Sequence, residues 1–323
     1  MAGTGNLSTN TTDLIRDDIW SAQLKEILRE ELQAMRYVDW RSDFPDGDTF
    51  HIPQIADAVT ADYTEDTEIT YAPLGTTDFT MAIDKYKSSA HYITRKMMQD
   101  SYYMSQLAGS FVPKQARAIL ESLETDILSK PNAAYSANDA AADNGVSHRV
   151  AGGGTGDTMA LEDFAYAMYA LKKAHVPQTN MVAIVDPSVE YHLNTLSGLT
   201  AVSNNPRWEG IVRDGIASGM RFVANVYGFD VYTSNFLPSV TDNALLDKDG
   251  AGVDFSTVNG KANYFFSATS DVMPIIGAMR QDPIVDREFN KDFQREELVT
   301  TARWGTKLFR PENMVNIVTK PTV

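Results

Sequence analysis

The spacing of apolar residues divides this chain into segments of different texture. Trp20, Leu24, Ile27, Leu28, Leu32 and Met35 recur with a helical period and predict a helix that Thr12 caps. Asp13, Asp17 and Asp18 in its first turns carry the sign favoured at a helix N-terminus. Residues 1–11 are small and polar and are expected to order only on a partner. Phe44-Pro45-Asp46-Gly47 reads as a turn. Two strands follow, at 49–52 and 79–83, the second with Phe79, Met81 and Ile83 in alternation. It is expected to run on through Tyr86 and Ser88 to Tyr92.

A long helical region is predicted from Thr94 to Lys130, with stripes on Met104, Leu107 and Phe111 and on Ile119, Leu120, Leu123 and Ile127. Pro113 between the stripes is expected to kink or split it. Residues 131–156 are rich in Ala, Asn and Gly and read as a mobile loop without an apolar anchor, tolerant of shortening. A helix on Leu161, Phe164, Ala165, Met168 and Leu171 ends before Pro177. Residues 181–185 form a buried-strand run, Asp186-Pro187 opens a further helix, and Gly198 closes it. From Met220 the chain is strand-rich, at 221–224, 229–233, 264–267, 275–278, 298–303 and 314–318, with a polar insertion at 239–262. There is no internal repeat. The order of elements is α+β rather than a regular βαβ alternation.

Charge sharpens this picture at one place. Residues 42–84 hold ten acids and no Lys or Arg, in a chain whose net charge is −15. The tip between the two strands has too few apolar residues for a core, and an isolated ribbon is marginal in water. Another surface is therefore expected to cover it, one that carries positive groups. The acidic balance argues against nucleic-acid binding through a general basic surface. It would instead repel DNA from a wall built of such chains. Residues 1–8 lack the basic start and apolar run of a signal peptide, and no window approaches 18 apolar residues, so no membrane partner is expected.

Candidate chemistry is sparse. The chain has no Cys, which removes disulfides and thiolate ligands, and its five His are scattered. The Gly152–Gly156 run lacks the Lys-Ser/Thr of a phosphate loop and reads as a linker. Residues 247–254 space their acids like a calcium loop but lack its bidentate Glu, so a plain hairpin-like loop is the better reading. Neither a Gly-x-Ser-x-Gly motif nor a distinct carboxylate pair is present. No catalytic residue, cofactor or metal is expected.

Four features in order carry a resemblance. They are the arm and ribbon leading into a spine helix, Val182-Ala183-Ile184-Val185-Asp186-Pro187 entering a helix, the segment from Val226-Tyr227-Gly228-Phe229 to Phe236-Leu237-Pro238, and the segment from Arg303-Trp304-Gly305 to Arg310-Pro311-Glu312. Together they resemble the major capsid proteins of tailed bacteriophages, the Hong Kong 97 fold also seen in encapsulin shells. The resemblance implies an N-terminal arm at 1–47 and an extended loop at 48–92. It further implies a peripheral domain at 93–178 and 296–323 and an axial domain at 179–295.

The same resemblance implies a non-enzymatic coat subunit that forms hexamers and pentamers in an icosahedral shell. The shell would be assembled in the host cytoplasm and become the virion capsid, enclosing double-stranded DNA without sequence-specific binding. The helical arm begins too early for a preceding scaffolding segment, so a separate scaffolding protein is expected, with a portal; a decoration protein is left open. The extended loop would touch a neighbouring subunit through Asp57, Asp62, Glu65, Asp66, Glu68, Phe79, Met81 and Ile83. Arg95, Lys96, Lys114 and Arg117 are the candidate counter-charges, and Trp20, Leu24, Ile27 and Leu28 would pack the arm. An encapsulin-like compartment and a soluble hydrolase with a cryptic site stand as alternatives.

Overall fold

A computed structural model of the chain describes residues 32, 34–42, 47, 49–55, 60, 62–66, 68, 75–100, 104–135, 145–195 and 222–321. The arm helix with Trp20, Leu24, Ile27 and Leu28, residues 43–46 of the turn, and Gly198 lie outside them. In chain order the elements are β1 (Val38–Arg41), β2 (Thr49–Ile55), β3 (Thr76–Ala82), β4 (Lys85–Thr94), α1 (Arg95–Asp100), α2 (Met104–Ala134) and β5 (Arg149–Ala151). Next come α3 (Leu161–Lys173), β6 (Met181–Val185), α4 (Pro187–Thr195), β7 (Phe222–Val226), β8 (Phe229–Thr233), β9 (Ser239–Val240), β10 (Leu245–Leu246) and β11 (Gly252–Val253). The chain ends with β12 (Gly260–Ser267), β13 (Ile275–Asn290), β14 (Arg295–Leu308) and β15 (Met314–Thr319). Two compact units emerge, one with Tyr86–Ser122 and Gln281–Ala302, the other with Leu32–Lys85, Leu123–Arg280 and Arg303–Val323.

The second unit is organised around a sheet ordered β5-β15-β12-β6-β8-β7, with β9 also pairing β12. Its central strands are apolar on both faces, the pattern expected where both are covered. On one face Phe265 of β12 meets Phe164 of α3 and Phe229 of β8 edge-on, at 5.2 and 5.3 Å between ring centres. Leu171 of α3 and Val189 and Leu193 of α4 complete that core. On the other face the buried Tyr264 donates to the Leu128 carbonyl of α2 at 2.7 Å, and Phe266 meets Tyr37 at 5.4 Å. The helix ends follow the sequence rules. Asp186 accepts the Ser188 N–H at 3.0 Å at the start of α4, and α3 carries Glu162 and Asp163 in its first turn and Lys172 and Lys173 in its last.

Three expectations need correction. The split allowed for at Pro113 does not occur: α2 continues through it for 31 residues, because one missing donor does not end a ladder whose neighbouring bonds persist. Of the stretch read as a loose loop at 131–156, residues 131–134 belong to α2, 136–144 lie outside the described residues, and 146–152 are packed rather than loose. β5 lies parallel to β15 (Val150 opposite Ile317), and Val146, His148, Arg149, Val150 and Ala151 are buried. Finally, the ribbon's second strand does not run on to Tyr92: β3 stops at Ala82, and β4 is a separate strand beginning at Lys85. The insertion at 239–262 does hold a short hairpin, β10 with β11, whose connecting loop is tied by Asp247 accepting the N–H groups of Asp249 and Ala251 at 2.9 and 2.7 Å.

Candidate assembly surface

The ribbon is formed by β2 and β3, antiparallel in the register Thr49↔Ala82 to Ile55↔Thr76. Its base is seated on its own chain. Met81 and Ile83 are buried against Ile276 and Ala278, with Phe50, Ile52, Phe79 and Phe309 packed around them. Phe79 meets Phe309 edge-on at 4.8 Å, and the Lys307 ammonium lies 4.5 Å from the centre of the Phe79 ring. The cover expected from a neighbour is thus supplied for Met81 and Ile83 by β13. Sequence reading found these apolar residues through their alternation; it could not place their partners some 200 residues away.

The acidic tip is a different surface. Asp62, Tyr63, Thr64, Glu65, Asp66 and Glu68 are all exposed, whereas Asp57 lies outside the described residues. Nearer the base, Asp78 lies 2.6 Å from His51 across the two strands. The candidate counter-charges belong to the other unit. Lys96 and Lys114 are exposed there, and Arg117 pairs with Glu121 one turn on at 2.9 Å. Arg95 donates to the Gln294 side chain at 3.2 Å and lies 5.9 Å from the Phe289 ring centre.

That first unit exposes a surface the sequence did not announce. β13 and β14 are long neighbouring strands joined at Lys291–Gln294, with β4 on the other side of β14. Residues 284–289 of β13 are exposed without interruption, so both faces of this stretch are bare. Ile284, Val285, Phe289, Phe293, Tyr86 and Tyr92 are the large apolar groups it presents, Phe293 at 66% and Tyr92 at 62% exposure. The Arg295 guanidinium lies between two of them, 4.7 Å from the Tyr92 ring centre and 4.6 Å from that of Phe293. It also donates to Glu297 at 2.7 Å, which holds the Glu297 carboxyl below its usual value. The signal was hidden because Pro283 and the acids among the apolar residues break the strand pattern.

Chemistry has little to work with among the described residues. No group of three or more His, Asp or Glu could hold a metal, and no helix is long and apolar enough to cross a membrane. A cleft of about 420 Å³ is lined by Val146, Arg149, Tyr166, Tyr169, Leu246 and Lys248 among others. Its two cations are already engaged, Arg149 with Asp242 and Lys248 with Glu162.

A family model for phage capsid proteins matches residues 76–317, most of the chain. A search of curated protein sequences finds no match. Among solved structures, one from Mycobacterium phage Che8 superposes with a TM-score of 0.64 at 17% identity, covering 94% of this chain and 97% of that one. The capsid structure of the cyanophage P-SCSP1u gives 0.65 at 14% identity, over 95% of this chain and 93% of that one. The capsid of the native GTA particle gives 0.61 at 13%, over 98% and 99%. The chain therefore belongs to the phage capsid protein family and has the Hong Kong 97-type fold of a capsid structural protein.

Proposed function

We propose that this is the major capsid protein of a tailed DNA bacteriophage, whose copies close as hexamers and pentamers into an icosahedral shell around the packaged genome. The observation that carries the reading is the bare end of the β13–β14 hairpin in the first unit. A monomer gains nothing by leaving Ile284, Val285, Phe289 and Phe293 in water on one strand pair, and patches of this kind mark contacts with other proteins. In a shell the cover is a second copy. The ribbon tip with Asp57, Asp62, Glu65, Asp66 and Glu68 then reaches a neighbour, where Arg95, Lys96, Lys114 and Arg117 supply the opposite sign. Phe79, Met81 and Ile83 serve that contact from behind, as the seat on which the ribbon stands.

The rest follows from this arrangement. The chain is not an enzyme, and it works with a separate scaffolding protein and a portal in the host cytoplasm. A net charge of −15 keeps an enclosed polyanion from sticking to the wall. The domain scheme is an arm at 1–47, an extended loop at 48–92, a peripheral domain at 93–178 and 296–323, and an axial domain at 179–295. Electron microscopy of the purified chain, alone and co-expressed with its scaffolding partner, tests the reading. Capsomers or closed shells are expected, and a small closed oligomer under both conditions would overturn it.

A further inference from the structure

The last residues of β14 face in two directions. Trp304 and Thr306 point one way, donating to Asp126 of α2 at 3.2 and 3.0 Å. Gly305 and Lys307, the alternate residues, meet the ribbon, and Phe309 just past the strand continues that side. At Gly305 any Cβ would lie 2.4 Å from the Ala82 carbonyl oxygen and 2.9 Å from the Ile83 Cα, so the ribbon backbone crosses where only glycine fits. Lys307 donates from Nζ to the Thr80 carbonyl at 2.7 Å while its charge rests on the Phe79 ring. Ring contact, hydrogen bond and close crossing grip the ribbon's base at Phe79, at Thr80 and at Ala82–Ile83.

We propose that Gly305 and Lys307 are positioning residues that set the direction in which the ribbon leaves the subunit, and with it where the acidic tip lands on the next copy. The inference rests on the assembly reading above. A lever argument says why direction matters. Seven paired residues extend about 23 Å at about 3.3 Å per residue. A swing of about 10° at the base moves their far end by about 4 Å, more than a hydrogen bond tolerates. A ribbon held only by apolar burial has no comparable angular restraint, because that attraction is non-directional.

The test uses the absence of cysteine, which makes introduced thiols the sole labelling sites. Spin labels at Thr64→Cys and Thr257→Cys, both exposed, report the ribbon's direction when labelled chains are diluted into an excess of unlabelled ones. Lys307→Met keeps the stem over Phe79 and removes the donor; Lys307→Arg restores a donor and a charge. We expect a narrow distance distribution for the unmodified chain and for Lys307→Arg, broadened about twofold in Lys307→Met. Closed particles should fall about tenfold in Lys307→Met, because losing the charged hydrogen bond that aims each ribbon within its own subunit lets the tip miss its place on the next copy. Gly305→Ala should shift the distance itself. An unchanged distribution in Lys307→Met overturns the clamp, as does equal broadening in Lys307→Arg. A broadened distribution with normal particle yield overturns the link to assembly. If even the unmodified chain forms no particles, the assembly reading falls, and the distances still judge the clamp.

Discussion

Asp126 does more than its place on the flank of a long helix suggests. It receives the indole N–H of the fully buried Trp304 and the hydroxyl of Thr306, and it lies 3.6 Å from the Lys130 ammonium. Asp126→Ala leaves both donors without their acceptor and should cost about 2–3 kcal/mol in a urea titration. A cost below about 0.5 kcal/mol would mean that the carboxylate is not what holds them. Asp163 is the complementary case. Burial pushes its carboxyl up, ahead of the opposing hydrogen bonds from the Ala160 and Gly153 N–H groups. The folded chain thus holds this proton more tightly than the unfolded chain. The stability it adds is full below the ordinary aspartate value and is lost as pH rises through the raised one. Across that window the urea midpoint should fall in the unmodified chain relative to Asp163→Asn, and parallel curves would contradict the assignment.

Elements whose signal is local were legible in the sequence. The α3 stripe, the Asp186-Pro187 start of α4 and the apolar runs of β6 and β12 are written in adjacent residues, and the fold used them as read. What was missed depends on distant partners. β5 is three residues long, too short for any period, and its burial comes from pairing with β15, more than 160 residues later. At Gly152 an added Cβ would lie 2.7 Å from the Thr158 carbonyl oxygen and 2.9 Å from the Thr319 side chain. Gly152→Ala, or excision of residues 152–154, should therefore lower soluble yield and the urea midpoint sharply, by about 1–3 kcal/mol for the single substitution. Unchanged stability on excision would restore the loose loop that composition suggests.

At the scale of the whole molecule, the candidate site was legible as charge and obscure as shape. A run of ten acids without a base is visible in any composition window, and so the ribbon tip was found. The bare hairpin end of β13 and β14 was not, because exposure is a property of what fails to cover a strand. Charge predicts a salt dependence. Exposed pairs contribute about 0–1 kcal/mol each, but a shell repeats them at every contact. Replacing Glu65, Asp66 and Glu68 by Lys should weaken assembly most at low ionic strength, where the screening length grows from about 10 Å at 0.1 M to about 30 Å at 0.01 M. Light scattering across a salt series reads this, and equal assembly of both chains at every salt would remove the tip charges from the contact.

The ribbon as a clamp between copies is decided by deleting residues 57–76 and imaging the product beside the full chain by electron microscopy, both co-expressed with the scaffolding partner. The seat at Phe79, Met81 and Ile83 stays intact in the deleted chain, so it should remain folded, with an unchanged circular dichroism spectrum, yet close no shell while the full chain does. Closed particles of normal size from the deleted chain would contradict the clamp.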